Sequence, residues 1–130
     1  MELCLKGKNA LVTGAGAGLG QACALAFGRA GARLSICDVN QEGIDDTLAQ
    51  LREIGVEAVG ALCDVSKADD VASFFSHTAN KLGSIDIVVN NAGIASTLRP
   101  LAEATEEDYD RVMGVNLKGT WLCMREALRH

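Results

Sequence analysis

Short apolar runs alternate along the chain with longer segments of mixed polarity. Four of the runs predict buried strands, because a strand covered on both faces reads as a nearly continuous apolar stretch. These runs cover residues 9–13, 33–38, 56–63 and 85–89. The segments between them repeat apolar residues every three or four positions, which predicts amphipathic helices.

The first predicted helix spans residues 19–30 and directly follows a glycine-rich turn. Its apolar residues recur on one side, and we expect that side to be buried. These residues are Leu19, Ala22, Cys23, Ala26 and Phe27.

Capping residues mark the starts of the later helices. Asn40 is predicted to cap the second helix. Ser66 and Thr105 are each followed three residues later by an aspartate, which predicts caps for the third and fourth helices. The fourth helix follows a loop at 90–104, runs towards the C-terminus and is expected to bend near Gly114 or Asn116.

The resulting order of elements is β-α-β-α-β-α-β-α. Parallel strands that alternate with helices form a sheet covered on both faces, so we expect an α/β fold with three αβα layers. Right-handed crossovers favour a doubly wound parallel sheet of about four strands in the order 3-2-1-4. Residues 1–130 are expected to form one domain.

Composition narrows the classes of partner. The 130 residues include 22% charged residues and carry a net charge of −5, with the twelve basic residues dispersed. This balance argues against nucleic-acid binding. No apolar run is long enough to span a membrane, and residues 1–6 do not resemble a secretory signal.

Five cysteines lie in apolar segments without a C-x-x-C pair. Such cysteines are typical of reduced core residues, so we expect a cytoplasmic protein without a metal site.

A glycine-rich turn joins the first strand to the first helix. Such a turn can hold a phosphate group with unpaired backbone N–H groups. The general G-x-G-x-x-G pattern fails, because the position that needs its third glycine holds Leu19. The pattern T-G-x3-G-x-G fits instead, at Thr13, Gly14, Gly18 and Gly20. The alternative is a turn whose glycines serve only tight packing.

This loop resembles the cofactor loop of the short-chain dehydrogenase/reductase family, which has a Rossmann-like fold. Three further features match the family in order: Asp38, twenty residues after Gly18; the pair Asp64-Val65; and the run from Asn90 to Gly93. The resemblance implies that the following residues bind the cofactor: Thr13, Gly14, Gly16, Ala17, Gly18, Leu19, Gly20, Asp38, Asp64, Val65, Asn90, Ala92 and Gly93. Asp38 and Asp64 could instead be turn residues, and the run from Asn90 a simple turn.

Asn116 falls where the family has an asparagine that interrupts helix hydrogen bonding, so that a main-chain carbonyl holds a water in a proton relay. The resemblance therefore implies a catalytic position for Asn116. The alternative is a kink residue without a catalytic role, since asparagine is disfavoured inside helices.

The resemblance implies an oxidoreductase that moves hydride between nicotinamide and an alcohol or carbonyl substrate. A carboxylate at Asp38 would accept ribose hydroxyls and repel a 2′-phosphate, which predicts NAD rather than NADP. By analogy with the family, a homo-oligomer is expected.

The family's catalytic Ser and Tyr-x3-Lys do not occur in this sequence. Its single tyrosine, Tyr109, is followed four positions later by Met113 rather than lysine. We therefore expect the C-terminally truncated, cofactor-binding part of such an enzyme, inactive alone. The alternative is a non-catalytic protein that binds a nucleotide or another subunit.

Overall fold

The computed structural model describes residues 4–130, so the prediction for the first six residues lies partly outside the described chain. The strands are β1 (Asn9–Thr13), β2 (Arg33–Asp38), β3 (Ala58–Leu62) and β4 (Ile87–Val89). The helices are α1 (Gly18–Arg29), α2 (Gln41–Glu53), α3 (Ala68–Leu82), α4 (Glu106–Met113) and α5 (Thr120–Arg129). A 3-10 turn (Leu101–Glu103) precedes α4, and a π-helical segment (Gly114–Gly119) joins α4 to α5.

The four strands form one parallel sheet in the order β3-β2-β1-β4, which confirms the predicted fold class and strand order. Because all strands run the same way, their carboxyl ends meet at a single edge. The chain segments that follow the neighbouring strands β1 and β4 lead to helices on opposite faces of the sheet. Open α/β sheets bind ligands in the crevice between such strands.

Alternate side chains of β1 point to opposite faces of the sheet, and each face packs against its own hydrophobic core. Ala10 and Val12 face a cluster that includes Ala24 of α1 and Ile44 of α2. Leu11 faces the opposite cluster, which holds Phe75 of α3 and Leu122 and Cys123 of α5. The protein therefore has three αβα layers, with α1 and α2 on one face and α3 and α5 on the other.

The predicted buried side of α1 is partly wrong. Leu19 is 79% exposed and Ala22 and Ala26 are exposed as well, whereas Gly20, Ala24 and Gly28 form the buried stripe. A Cβ added to Gly28 would lie 2.9 Å from Val56 Cγ2, so small residues let α1 approach its neighbours closely. Half-buried Cys23 and Phe27 do pack against this core, as predicted.

Two of the three predicted caps are confirmed. Asn40 Oδ1 accepts a hydrogen bond from Gly43 N at 3.3 Å, and Thr105 Oγ1 accepts one from Asp108 N at 3.1 Å. The Ser66 cap is wrong, because the Ser66 hydroxyl donates to Asp64 Oδ1 at 2.6 Å and α3 begins two residues later. Strands β3 and β4 are also shorter than predicted.

Regular α-helical bonding is interrupted at the π-helical segment, which includes Gly114 and Asn116, the two positions expected to disturb the last helix. Within residues 4–130, every helix is too short or too polar to cross a lipid bilayer.

Candidate functional site

A cavity of about 480 Å³ opens at the carboxyl edge of the sheet. Segments that follow all four strands contribute to its wall, so residues distant in sequence meet there. The lining residues are Gly14, Ala17, Leu19, Asp38, Val39, Cys63, Asp64, Val65, Asn91, Ala92, Gly93, Ile94 and Val115.

The glycine loop is built by close backbone approaches. Gly14 has φ +63°, and a Cβ there would lie 2.9 Å from Ala92 Cα, so the turns after β1 and β4 touch. Gly20 packs beneath the loop, where a Cβ would collide with the Gly14 carbonyl oxygen. The loop is thereby held on the sheet while Ala17 and Leu19 remain exposed beside the cavity.

Thr13 and Asn91 fasten the two central strands together below the cavity. The buried Thr13 hydroxyl accepts hydrogen bonds from the backbone N–H groups of Asn91 at 3.1 Å and Ala92 at 3.0 Å. Asn91 Nδ2 donates at 3.1 Å to both the Thr13 and Gly14 carbonyls. Sequence reasoning assigned no role to Asn91, although it lies within the Asn90–Gly93 run that it singled out.

Asp38 places a carboxylate beside the glycine loop at the end of β2. Its Oδ2 accepts from Gly16 N at 2.9 Å, and its Oδ1 accepts from Asn40 N at 3.1 Å. A Cβ on Gly16 would lie 2.9 Å from the Asp38 carboxyl carbon, so only glycine permits this approach. The loop and the acidic side chain thus form one unit.

Asp64 and Val65 form the wall that follows β3. Hydrogen bonds from the side chain and backbone of Ser66 lower the pKa of Asp64, with a smaller contribution from nearby Lys67. Val65 is buried against the π-helical segment, where a Cβ on Gly119 would lie 2.6 Å from Val65 Cγ2. The site therefore has an ionised carboxylate next to an apolar surface.

The Asn116 side chain forms two hydrogen bonds with the turn after β4. Its Oδ1 accepts from Ile94 N at 2.8 Å, and its Nδ2 donates to the Ile94 carbonyl at 2.9 Å. The Asn116 carbonyl accepts from Thr120 Oγ1 at 3.1 Å. Asn116 thus contacts a cavity residue without lining the cavity itself.

The structure brings most of the predicted site residues to the cavity wall: Gly14, Ala17, Leu19, Asp38, Asp64, Val65, Ala92 and Gly93. Other predicted residues lie behind or beside the wall: Thr13, Gly16, Gly18, Gly20, Asn90 and Asn116. Sequence reasoning missed several lining residues: Val39, Cys63, Asn91, Ile94 and Val115. Most of these are apolar residues adjacent to a predicted site residue, and adjacency to a strand end was the available signal.

Three buried thiols lie at the site: Cys63 lines the cavity, and Cys37 and Cys123 pack with it in the core. A hydrogen bond with Cys63, together with burial, raises the pKa of Cys37. Burial raises the pKa of Cys123 to about 12. Cys37 and Cys123 are therefore neutral core residues near pH 7. Across residues 4–130, no cluster of three or more histidine, cysteine or acidic side chains has a geometry suited to a metal ion.

Residues 8–130 match the family model described as short chain dehydrogenase. The chain belongs to this family. Short-chain dehydrogenases are oxidoreductases that bind nicotinamide cofactors. The cavity described above lies at the carboxyl ends of the strands, where open α/β sheets bind ligands.

Individual short-chain dehydrogenases support the assignment. A short-chain dehydrogenase/reductase of Pestalotiopsis microspora is 39% identical over 97% of this chain and 48% of its own length. A dehydrogenase/reductase structure from Sinorhizobium meliloti 1021 superposes with a TM-score of 0.94 at 35% identity, over 99% of this chain and 51% of that one.

A metagenomic short-chain oxidoreductase, whose structure is a complex with NADP, gives a TM-score of 0.90 at 32% identity over 95% of this chain and 56% of that one. The chain spans about half the length of the relatives that it matches.

Proposed function

We propose that this chain binds NAD in the cavity at the carboxyl edge of the sheet. The observation that carries the proposal is the Asp38 carboxylate, which lines the cavity and accepts a hydrogen bond from Gly16 of the glycine loop. The pyrophosphate would lie against the loop and the start of α1, where N–H groups and the helix dipole favour an anion.

The geometry of Asp38 suits a ribose diol. A carboxylate has about four acceptor positions, and backbone N–H groups of Gly16 and Asn40 occupy one on each oxygen. Each oxygen therefore retains one position for a ribose hydroxyl. A 2′-phosphate would meet the same negative charge, which favours NAD over NADP.

Asp64 and Val65 are proposed to hold the adenine ring. The Asp64 carboxylate can accept from an adenine amino group, and the apolar Val65 side can cover the ring face. Gly93 and Ala92 would let the cofactor pass close to the backbone after β4, with Asn90 on the ribose side.

We propose that the whole protein transfers hydride between nicotinamide and an alcohol or carbonyl carbon. The cofactor supplies the hydride chemistry when bound, and the chain binds and orients it. Asn116 is proposed to shape the catalytic end, because π-helical bonding around it removes backbone groups from the regular ladder. Its carbonyl, which accepts from Thr120 Oγ1, is proposed to hold a water molecule as well.

The 130-residue chain is proposed to bind cofactor without turnover. It contains no Tyr-x3-Lys, and Tyr109 lies 63% exposed on α4 as an ordinary surface residue. Incubation with NAD and a panel of secondary alcohols should give no enzyme-dependent NADH absorbance. Steady NADH formation that scales with protein concentration would contradict this statement.

The second candidate function is subunit interaction without catalysis. Its support is an exposed apolar face along α4, the π-helical segment and α5: Tyr109, Leu117, Trp121, Met124 and Leu128. We propose that this face joins copies of the chain into a homo-oligomer. We also propose a cytoplasmic location, because the free cysteines suit a reducing compartment.

Calorimetric titration with NAD and NADP tests the cofactor assignment. The wild-type chain should bind NAD more tightly. Asp38→Asn keeps an oxygen that can accept from Gly16 but removes the charge. The ratio of NAD affinity to NADP affinity should fall by about tenfold in this variant, which is the effect of one lost charged hydrogen bond. Tighter NADP binding by the wild type would overturn the assignment, and an unchanged ratio in the variant would remove Asp38 from its role.

A further inference from the structure

The carbonyl of Ala15, inside the glycine loop, is held by a side chain from outside the cavity. Ala15 is fully buried, and its carbonyl accepts a hydrogen bond from Thr47 Oγ1 of α2 at 2.8 Å. The Ala15 N–H donates to the Cys37 carbonyl of β2 at 3.0 Å. With Gly16 N bound to Asp38, three successive polar groups of the loop are fixed before any ligand arrives.

A second side chain fixes the direction of the Thr47 hydroxyl. Gln21 Nε2 of α1 donates to Thr47 Oγ1 at 2.8 Å and to Asp46 Oδ2 at 2.9 Å. The Asp46 carboxylate only accepts, so the Gln21 amide must turn its nitrogen towards it. Thr47 consequently accepts from Gln21 and has its own proton free for Ala15.

Core packing alone does not require a hydroxyl at position 47. The buried positions of α2 are Ile44, Thr47 and Leu51, and Thr47 has no exposed surface. Valine has nearly the same shape, and burying a hydroxyl is costly unless it is hydrogen-bonded. A hydroxyl at this position is therefore explained by its bond to the loop rather than by the core.

Helix α2 also touches the loop directly. A Cβ added to Gly43 would lie 2.7 Å from the Gly16 carbonyl oxygen and 3.0 Å from Gly16 Cα. Since Gly43 and Thr47 are one helical turn apart, both contacts join the same face of α2 to consecutive loop residues. The position of α2 therefore sets the position of the loop.

We propose that Thr47, oriented by Gln21 and Asp46, is a positioning residue for the part of the loop that receives the pyrophosphate of the dinucleotide. The inference rests on the proposed NAD site and deepens it. A loop held in its binding geometry loses less conformational entropy when the ligand binds. Removing the Thr47 hydroxyl should therefore lower the affinity of ligands that contact this part of the loop more than the affinity of ligands that do not.

The test compares Thr47→Val with Thr47→Ser and with Thr78→Val. Thr78 is a matched control, because it is also buried and bonded to a backbone carbonyl, that of Phe74, but lies in α3 away from the loop. NAD and ADP are titrated by calorimetry, and adenosine, which lacks the pyrophosphate, by NMR. Backbone amide exchange of Gly16 is measured without ligand.

Thr47→Val should lower the affinity for NAD and ADP by about 5- to 30-fold, which is the effect of losing one buried hydrogen bond. It should lower adenosine affinity by less than it lowers the affinity of NAD and ADP, because adenosine meets Asp38 but not the part of the loop that receives the pyrophosphate, and it should speed Gly16 exchange. Thr47→Ser should restore both properties, and Thr78→Val should leave both unchanged.

Equal weakening of NAD and adenosine, or equal effects of Thr47→Val and Thr78→Val, would show a general structural role and overturn the inference. If Thr47→Val fails to fold, Gln21→Met serves instead, because it leaves the core of α2 intact and should weaken NAD and ADP in the same selective way. A wild-type chain that binds no dinucleotide would instead refute the proposed function itself.

Discussion

The Ser66 hydroxyl donates a hydrogen bond to Asp64 Oδ1 at 2.6 Å, beside a second bond from the Ser66 backbone N–H at 3.0 Å. Because both bonds favour the charged carboxylate, the pKa of Asp64 is lower in the folded chain than in the unfolded one. The bonds therefore add stability at pH values above the unfolded pKa, about 3.9. That contribution is lost as the pH falls through the folded pKa.

Ser66→Ala should raise the pKa of Asp64 towards its ordinary value and move acid unfolding to a higher pH. Carboxyl-carbon NMR titration measures the first effect, and circular dichroism against pH measures the second. Ser76→Ala provides the control, since Ser76 is exposed on α3 and does not contact Asp64. An Asp64 titration that is identical in Ser66→Ala and wild type would refute the assigned cause.

Two glycines at the start of α1 serve different physical purposes. Gly18 has φ +56° with open space at its Cβ position, whereas a Cβ on Gly20 would collide with the Gly14 carbonyl. Gly18→Ala should cost about 1–2 kcal/mol of unfolding free energy from backbone strain alone. Gly20→Ala should cost about 3 kcal/mol or more, because backbone must move.

Denaturant unfolding of the two alanine variants measures these costs. Equal destabilisation would contradict the close approach of α1 to the loop. NAD affinity should also fall more in Gly20→Ala than in Gly18→Ala, because only the former displaces Gly14.

At the scale of elements, β1 and β2 could be predicted to the residue, because apolar runs ended by Gly, Asp or Asn mark their bounds. The buried side of α1 could not, since hydrophobicity ranks Leu19 above glycine while close packing selects Gly20 and Gly28. The Ser66 prediction failed because α3 begins at Ala68 with Lys67 at its N-cap position, while the Ser66 hydroxyl is turned towards Asp64. The capping pattern in the sequence does not fix the residue at which the folded helix begins.

Among the residues of the site, those at strand ends could be predicted from the sequence, whereas those that act through tertiary hydrogen bonds could not. Asp38 and Asp64 were singled out because the family resemblance places acidic residues at these two strand ends, and the structure brings both to the cavity wall. Asn91 and Thr47 were missed, since their hydrogen bonds join segments that are 77 and 32 residues apart. Hydrogen bonds over such distances depend on the packed structure and have no local pattern.

For the whole molecule, the exposed apolar face predicts self-association. Trp121→Glu places a charge in the middle of this face and should shift the chain towards monomer, measured by light scattering with size-exclusion chromatography. Leu98→Glu is the control, because Leu98 is fully exposed on the loop before α4 and outside the face. A wild-type monomer at every concentration, or equal dissociation by both variants, would contradict the proposed oligomer interface.

The central claim is that strand ends distant in sequence form one NAD site. NMR mapping of the labelled wild-type chain during titration with NAD tests it most directly. Saturable shifts should concentrate in three separate segments, at Gly14 to Leu19, at Asp38 and Val39, and at Asp64 and Val65, with little change at Leu101 to Glu103. Shifts confined to the loop before α4, or no saturable shifts at all, would contradict the account.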